Sequence, residues 1–156
     1  MTSKTTYSTS SPYEEKFGYY RAVRTGSYIF VAGTTAVDPN SPASAPQVLF
    51  PGDARRQTVT ALRECIAAIE AVAPEGGPGA ASVVRVKMYV GRHEDCEAVG
   101  AGFREVLGKD QNGEDTRGTG TGTGLGAVAT MIVVHGGFVH PDMLVEVEVD
   151  AVLRTP

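Results

Sequence analysis

Apolar residues recur along this chain at two distinct spacings, and the spacings alternate from one end to the other. Tyr20 to Arg24 and Tyr28 to Ala32 are rich in β-branched and aromatic residues around Gly26, which predicts a β-hairpin. After Asp53, Val59, Leu62, Ile66, Ile69 and Ala73 form one apolar stripe at helical spacing, with Asp53 as the N-cap. Pro74-Glu-Gly-Gly-Pro-Gly ends that helix. Val83 to Val90 then alternates: Val84, Val86, Met88 and Val90 face one way, Arg85 and Lys87 the other. A second helical stripe runs from His93 to Leu107 through Cys96, Val99, Phe103 and Val106. Ala127 to Val134 is almost wholly apolar and short enough for a central strand, and His135 to Asp142, with Gly136-Gly137, reads as the turn of a hairpin into the next strand. Leu144 to Leu153 alternates again, Val145, Val147 and Val149 opposing Glu146, Glu148 and Asp150.

The predicted order is β-β-α-β-α-β-β. Two helices covering one face of a sheet make a two-layer α/β (α+β) sandwich. At 156 residues the chain suits a single domain, 1–156. Residues 1–12, rich in Ser and Thr, read as a loosely held arm, and Asp38 to Pro51 as a proline-rich loop.

Composition narrows the function classes. A formal charge of −4 gives no general attraction to a phosphate backbone, so nucleic acid is an unlikely partner. Cys65 and Cys96 form no CxxC pair and read as free thiols in a reducing compartment. The polar N-terminal residues lack the apolar stretch of a signal peptide, and no apolar run approaches membrane-spanning length. A cytoplasmic protein with no membrane partner is the expectation.

Three motifs invite chemistry and do not support it. The glycine-threonine run from Gly118 to Gly126 matches neither G-x-G-x-x-G nor a Walker loop, and it leads into a strand rather than a helix. His93, His135 and His140 lack metal-ligand spacing, so no metal is expected. No serine sits in a G-x-S-x-G elbow. Glu146 and Glu148, two apart on a strand, share a face; on strand pattern alone they are solvated carboxylates.

Several segments taken together change that reading. Gly18-Tyr-Tyr-Arg-Ala-Val23, the turn Ala32-Gly-Thr-Thr35, Asp53-Ala-Arg-Arg-Gln57 and Leu144-Val-Glu-Val-Glu-Val149 appear in the order and spacing of the YjgF/Rid family. The chain resembles that family from Gly18 to Leu153. The resemblance implies a chorismate-mutase-like fold, a homotrimer with clefts between subunits, no cofactor, and in many members hydrolysis of reactive enamines and imines. It places the cleft tyrosine on Tyr19, the early helix glutamine on Gln57 and the water-positioning glutamate on Glu146. Ala32-Gly33-Thr34 takes the place of the family's Ser-Gly-Gln turn, followed by Thr35. Arg21 stands where a glutamine is usual. Thr130, with Met131 beside it, stands where deaminating members carry the arginine that clamps a substrate carboxylate. A threonine cannot form that bidentate charged contact. Arg21 and Arg117 are the candidates to replace it.

The expected ligand is a small molecule in the cleft, held by Tyr19, Arg21, Gly33, Thr34, Thr130 and Met131, with Glu146 as the catalytic residue. The first functional expectation is C=N hydrolysis of substrates other than the usual amino-acid-derived imines. The second is a non-catalytic metabolite-binding or regulatory trimer. The third, RNA cleavage, is disfavoured by the acidic balance.

Overall fold

The computed structural model describes residues 3–112 and 124–154. Its elements are β1 (Lys4–Tyr7), α1 (Pro12–Phe17), β2 (Ala22–Thr25), β3 (Tyr28–Thr34), α2 (Ala54–Val72), β4 (Val83–Val90), α3 (Cys96–Leu107), β5 (Val128–Val133) and β6 (Val145–Val152). The strands form one sheet in the order β1-β2-β3-β6-β4-β5. Neighbours are antiparallel except β4 and β5. The helices α2 and α3 pack on one another and bury one face of the sheet.

The helices form where their stripes predict. The Asp53 carboxylate accepts the Arg56 amide at 3.0 Å, which satisfies one of the free donors at the start of α2. Leu62, Cys65 and Ile69 lie fully buried against the sheet. In β6 the alternation holds throughout: Val145, Val147, Val149 and Ala151 enter the core, while Glu146, Glu148 and Asp150 line the opposite face.

Four expectations need correction. Residues 4–7 are not a loose arm: they pair antiparallel with β2, from Lys4 opposite Thr25 to Tyr7 opposite Ala22. Pro12–Phe17 then forms a short helix, closed by Gly18 in the left-handed conformation at φ 73°. Neither element has an apolar period, because neither buries a continuous face of its own.

In β4 the inward set is Val83, Val86, Met88 and Val90. Val83 is 3% exposed and Val84 is 44% exposed. The register against β6 shifts between Val83 and Arg85, and this irregularity exchanges the two valines.

The apolar run at β5 is an edge strand, not a central one. An unbroken apolar run fits a strand enclosed on both faces, but it fits equally an edge left for another surface to cover. Finally, His135 to Asp142 does not close a hairpin. β5 runs parallel to β4, and β6 lies on the other side of β4, so this segment crosses over a strand.

Candidate functional site

A cavity of about 630 Å³ opens beside β1, β2 and β3, within the range that holds small ligands. Its walls come from distant segments: Tyr13 from α1, Tyr19 from the link to β2, Gly33 from β3, Glu64 from α2 and Glu146 from β6.

The floor is set by an ion pair that local sequence builds. The six-residue helix α1 carries Glu14 inward, where its carboxylate accepts the Arg21 Nε at 2.7 Å. Both side chains are almost fully buried. The same carboxylate accepts the amide and hydroxyl of Thr9, each at 2.7 Å. Arg21 Nη1 donates to the Gly33 carbonyl at 3.1 Å and to Thr34 Oγ1 at 2.7 Å. These contacts stitch α1 to the end of β3. They also commit the guanidinium to protein partners, so Arg21 serves as an internal counterion for Glu14. Thr34 is buried, and its hydroxyl donates onward to the Ala32 carbonyl at 2.8 Å. Thr34 therefore supports the cavity wall, whereas Thr35 lines it.

Glu146 occupies the wall beside Gly33. The β3–β6 pairing slips between Val31 and Thr34, and the Glu146 carboxylate rests over the glycine. A Cβ at position 33 would collide with Glu146 Oε1, so the missing side chain is what seats the carboxylate. Burial raises the Glu146 pKa above the usual carboxylate range; Arg21 opposes the rise and Glu148 adds to it. The entry of β6 is fixed by Gln57. Its Nε2 donates to the Asp142 carbonyl at 2.8 Å and the Phe50 carbonyl at 3.2 Å, and its Oε1 accepts the Leu144 amide at 2.9 Å.

Glu148 shares the strand face with Glu146 and meets a different environment. It accepts Lys87 Nζ at 2.6 Å and the Tyr89 hydroxyl at 3.4 Å. Among the described residues Glu146 makes no ion pair. One glutamate is neutralised on the sheet and the other faces a cavity.

Tyr19 lines the cavity near Arg21, whose guanidinium lies 6.0 Å from the ring centre. Burial raises the Tyr19 pKa, so its phenol keeps its proton. Cys65 is buried and its thiol is pushed up to about 12, which makes it an inert core residue.

Sequence reasoning missed Glu64. Its carboxyl lines the cavity, and burial pushes its pKa up to about 7, with Arg21 lowering and Glu14 raising it. A signal existed: Gln57, Ala61, Glu64 and Ala68 recur at steps of four and three, a second inward stripe beside the one chosen.

Thr130 and Met131 are not brought to this cavity within one chain. They sit on β5, separated from β3 by β6 and β4, and Thr130 is exposed. Arg117 lies outside the described residues. Among the described residues, no cluster of three or more His, Cys, Asp or Glu has the arrangement of a metal site, and no helix is long and apolar enough to cross a membrane.

Comparison with known proteins gives a consistent result. The family described as Endoribonuclease L-PSP matches residues 10–153. The uncharacterized protein SCO2049 of Streptomyces coelicolor is 35% identical over 141 residues, covering 90% of this chain and 86% of that protein. The crystal structure of Rv2704 from Mycobacterium tuberculosis, of the YjgF/YER057c/UK114 family, is 30% identical with a TM-score of 0.68, covering 96% of this chain and 99% of that one. PA3499 of Pseudomonas aeruginosa, a protein of unknown function, has the same TM-score at 25% identity, covering 98% of this chain and 94% of that one.

Proposed function

The chain belongs to the Endoribonuclease L-PSP (YjgF) family, and from that premise we propose that it is an enzyme adding water to C=N bonds, with Glu146 as the proton-transfer residue. The observation that carries this reading is the seat of Glu146: a carboxyl without an ion-pair partner among the described residues, its pKa raised by burial, on a cavity wall built around Gly33. A carboxyl in such a place can hold a water and exchange a proton with it. For an imine, Glu146 takes a proton from water as the oxygen bonds to the imine carbon, and returns one to nitrogen. Glu146 then takes the proton of the new hydroxyl and passes it to nitrogen as the C–N bond breaks, so the nitrogen leaves as amine or ammonia and the carbon keeps a carbonyl. An enamine is first protonated at carbon, which makes the same C=N group. The rigid strand beneath Glu146 supports this role better than a loop would.

The substrate lacks a carboxylate in this reading. Thr130 cannot clamp one, and Arg21 is bound to Glu14 and Gly33. Turnover of 2-aminoacrylate generated in situ is therefore expected to be slow, and Thr130→Arg is expected to raise it. On a productive imine, Glu146→Gln should lower the rate by about 10²–10⁴-fold, while Glu148→Gln should change it little. Equal, small effects would favour the second reading, a metabolite-binding trimer without turnover. That reading draws on the commitment of Arg21 to protein groups. Cleavage of RNA is disfavoured by the acidic side chains around the cavity, which repel phosphodiesters.

The working unit in this proposal is a homotrimer. Val128 and Ile132 of β5 are more than half exposed in the single chain and call for a covering surface. A cytoplasmic location accords with the free thiols of Cys65 and Cys96.

A further inference from the structure

Four of the six tyrosines, Tyr7, Tyr13, Tyr19 and Tyr20, line this one cavity, together with Phe17. Three carboxyl groups face the same space: Asp38, Glu64 and Glu146. The guanidinium of Arg21 also borders it, already neutralised by Glu14. Among the described residues Glu64 and Glu146 have no ion-pair partner. Ala67, Ala68, Val139 and Met143 supply an apolar remainder.

We propose that the cavity recognises an organic cation, a protonated amine or iminium group carried on an apolar or aromatic body. Aromatic faces attract a cation through their quadrupole, and the attraction grows when water is excluded. A carboxylate at the same wall supplies the opposite charge, and burial makes that charge costly until a cation arrives. The apolar surface accommodates the body of the ligand. An anion would meet three carboxyl groups and only one guanidinium, itself already paired. Tyr7, Tyr13 and Phe17 reach the cavity only because β1 and α1 are ordered onto the sheet, so this selectivity belongs to the N-terminal segment.

The inference rests on reading this cavity as the ligand site of the proposed reaction, yet binding tests it without turnover. Benzyltrimethylammonium, benzyl alcohol and benzoate share one ring and differ in charge. Titration calorimetry of the full chain at pH 8, where Glu64 is ionised, should give tightest binding for the ammonium. The margin over the alcohol should be at least about tenfold, the size of one desolvated cation–π contact. Glu64→Gln and Tyr13→Leu should each weaken the ammonium several-fold and leave the alcohol unchanged, with folding checked by thermal melting. Benzoate binding as tightly as the ammonium, or an ammonium affinity indifferent to both substitutions in folded protein, overturns the proposal. If the charge order holds but Glu146→Gln and Glu148→Gln turn over equally, the cation site stands and the hydrolytic reading falls. If Glu146→Gln alone abolishes turnover but the charge order is absent, the reverse holds.

Discussion

At one edge of the sheet, β1 presents Lys4, Thr5 and Thr6 to solvent, and the chain then folds back as α1 over the cavity. At the other edge, β5 presents Val128 and Ile132, which are 64% and 51% exposed. The first edge carries a lysine and short polar side chains, a composition that discourages pairing with another strand. It is held from inside by the Glu14–Arg21 pair, which ties the N-terminal segment to β3. The second edge has the composition of a core strand and is not covered by the described residues of its own chain. One end of the sheet is finished by its own sequence, and in the proposed trimer the other would be finished by an interface. The candidate residues divide the same way: Tyr19, Gly33 and Glu146 line the cavity on the side of the first edge, while Thr130 and Met131 lie on the second edge.

The contrast can be broken most forcefully at the ion pair. Glu14→Ala leaves Arg21 buried without its counterion, and such a loss costs about 3–5 kcal/mol. Urea unfolding should show a decrease of that size, with protection of the β1 amides from hydrogen exchange falling further than that of β6. A loss within measurement error would mean that the ion pair does not hold the first edge. The opposite edge is tested by charge. Ile132→Lys should convert a trimer into monomers near the chain mass of 16.4 kDa in light scattering, with little change in helix content. A wild-type chain already monomeric would remove the reason given for the apolar composition of β5.

Glu64 gives a smaller effect with a definite sign. Its folded pKa, about 7, lies above the ordinary value of 4.5, so the folded state holds this proton to higher pH than the unfolded chain does. The contribution to stability is therefore greatest below about pH 4.5 and is lost as pH rises to about 7. Glu64→Gln should remove that slope and gain on the order of 1 kcal/mol at pH 8, allowing for solvent screening. A mutant whose stability profile parallels the wild type would place the charge elsewhere. Gly33→Ala should have the smallest effect on folding, within about 0.5 kcal/mol, because the new methyl meets only the end of a flexible side chain. It should nevertheless move Glu146 from its seat and lower turnover, which would separate the site from the stability of the edge that holds it.

Much of this molecule is legible in the order of its residues. Helix α2, helix α3 and strand β6 follow from periodicity, since each buries one face continuously and its pattern records that burial. The meeting of Tyr19, Gly33 and Glu146 was legible through family resemblance, and no local pattern indicates it. Other features depended on contacts between distant segments. The strand β1 exists because β2 offers it partners, and four residues of Lys, Thr and Tyr carry no period that would announce this. The exchange of Val83 and Val84 follows from a register shift against β6, which the alternation within β4 cannot reveal. The edge position of β5 is a matter of topology, and an apolar run reads the same whether its cover comes from its own chain or another. Glu64 acquires its raised pKa from burial, with Arg21 opposing and Glu14 adding to the rise, three influences brought together only by folding. Periodicity reports which face of an element is buried; what a buried or half-buried group meets there is decided by the segments that pack against it.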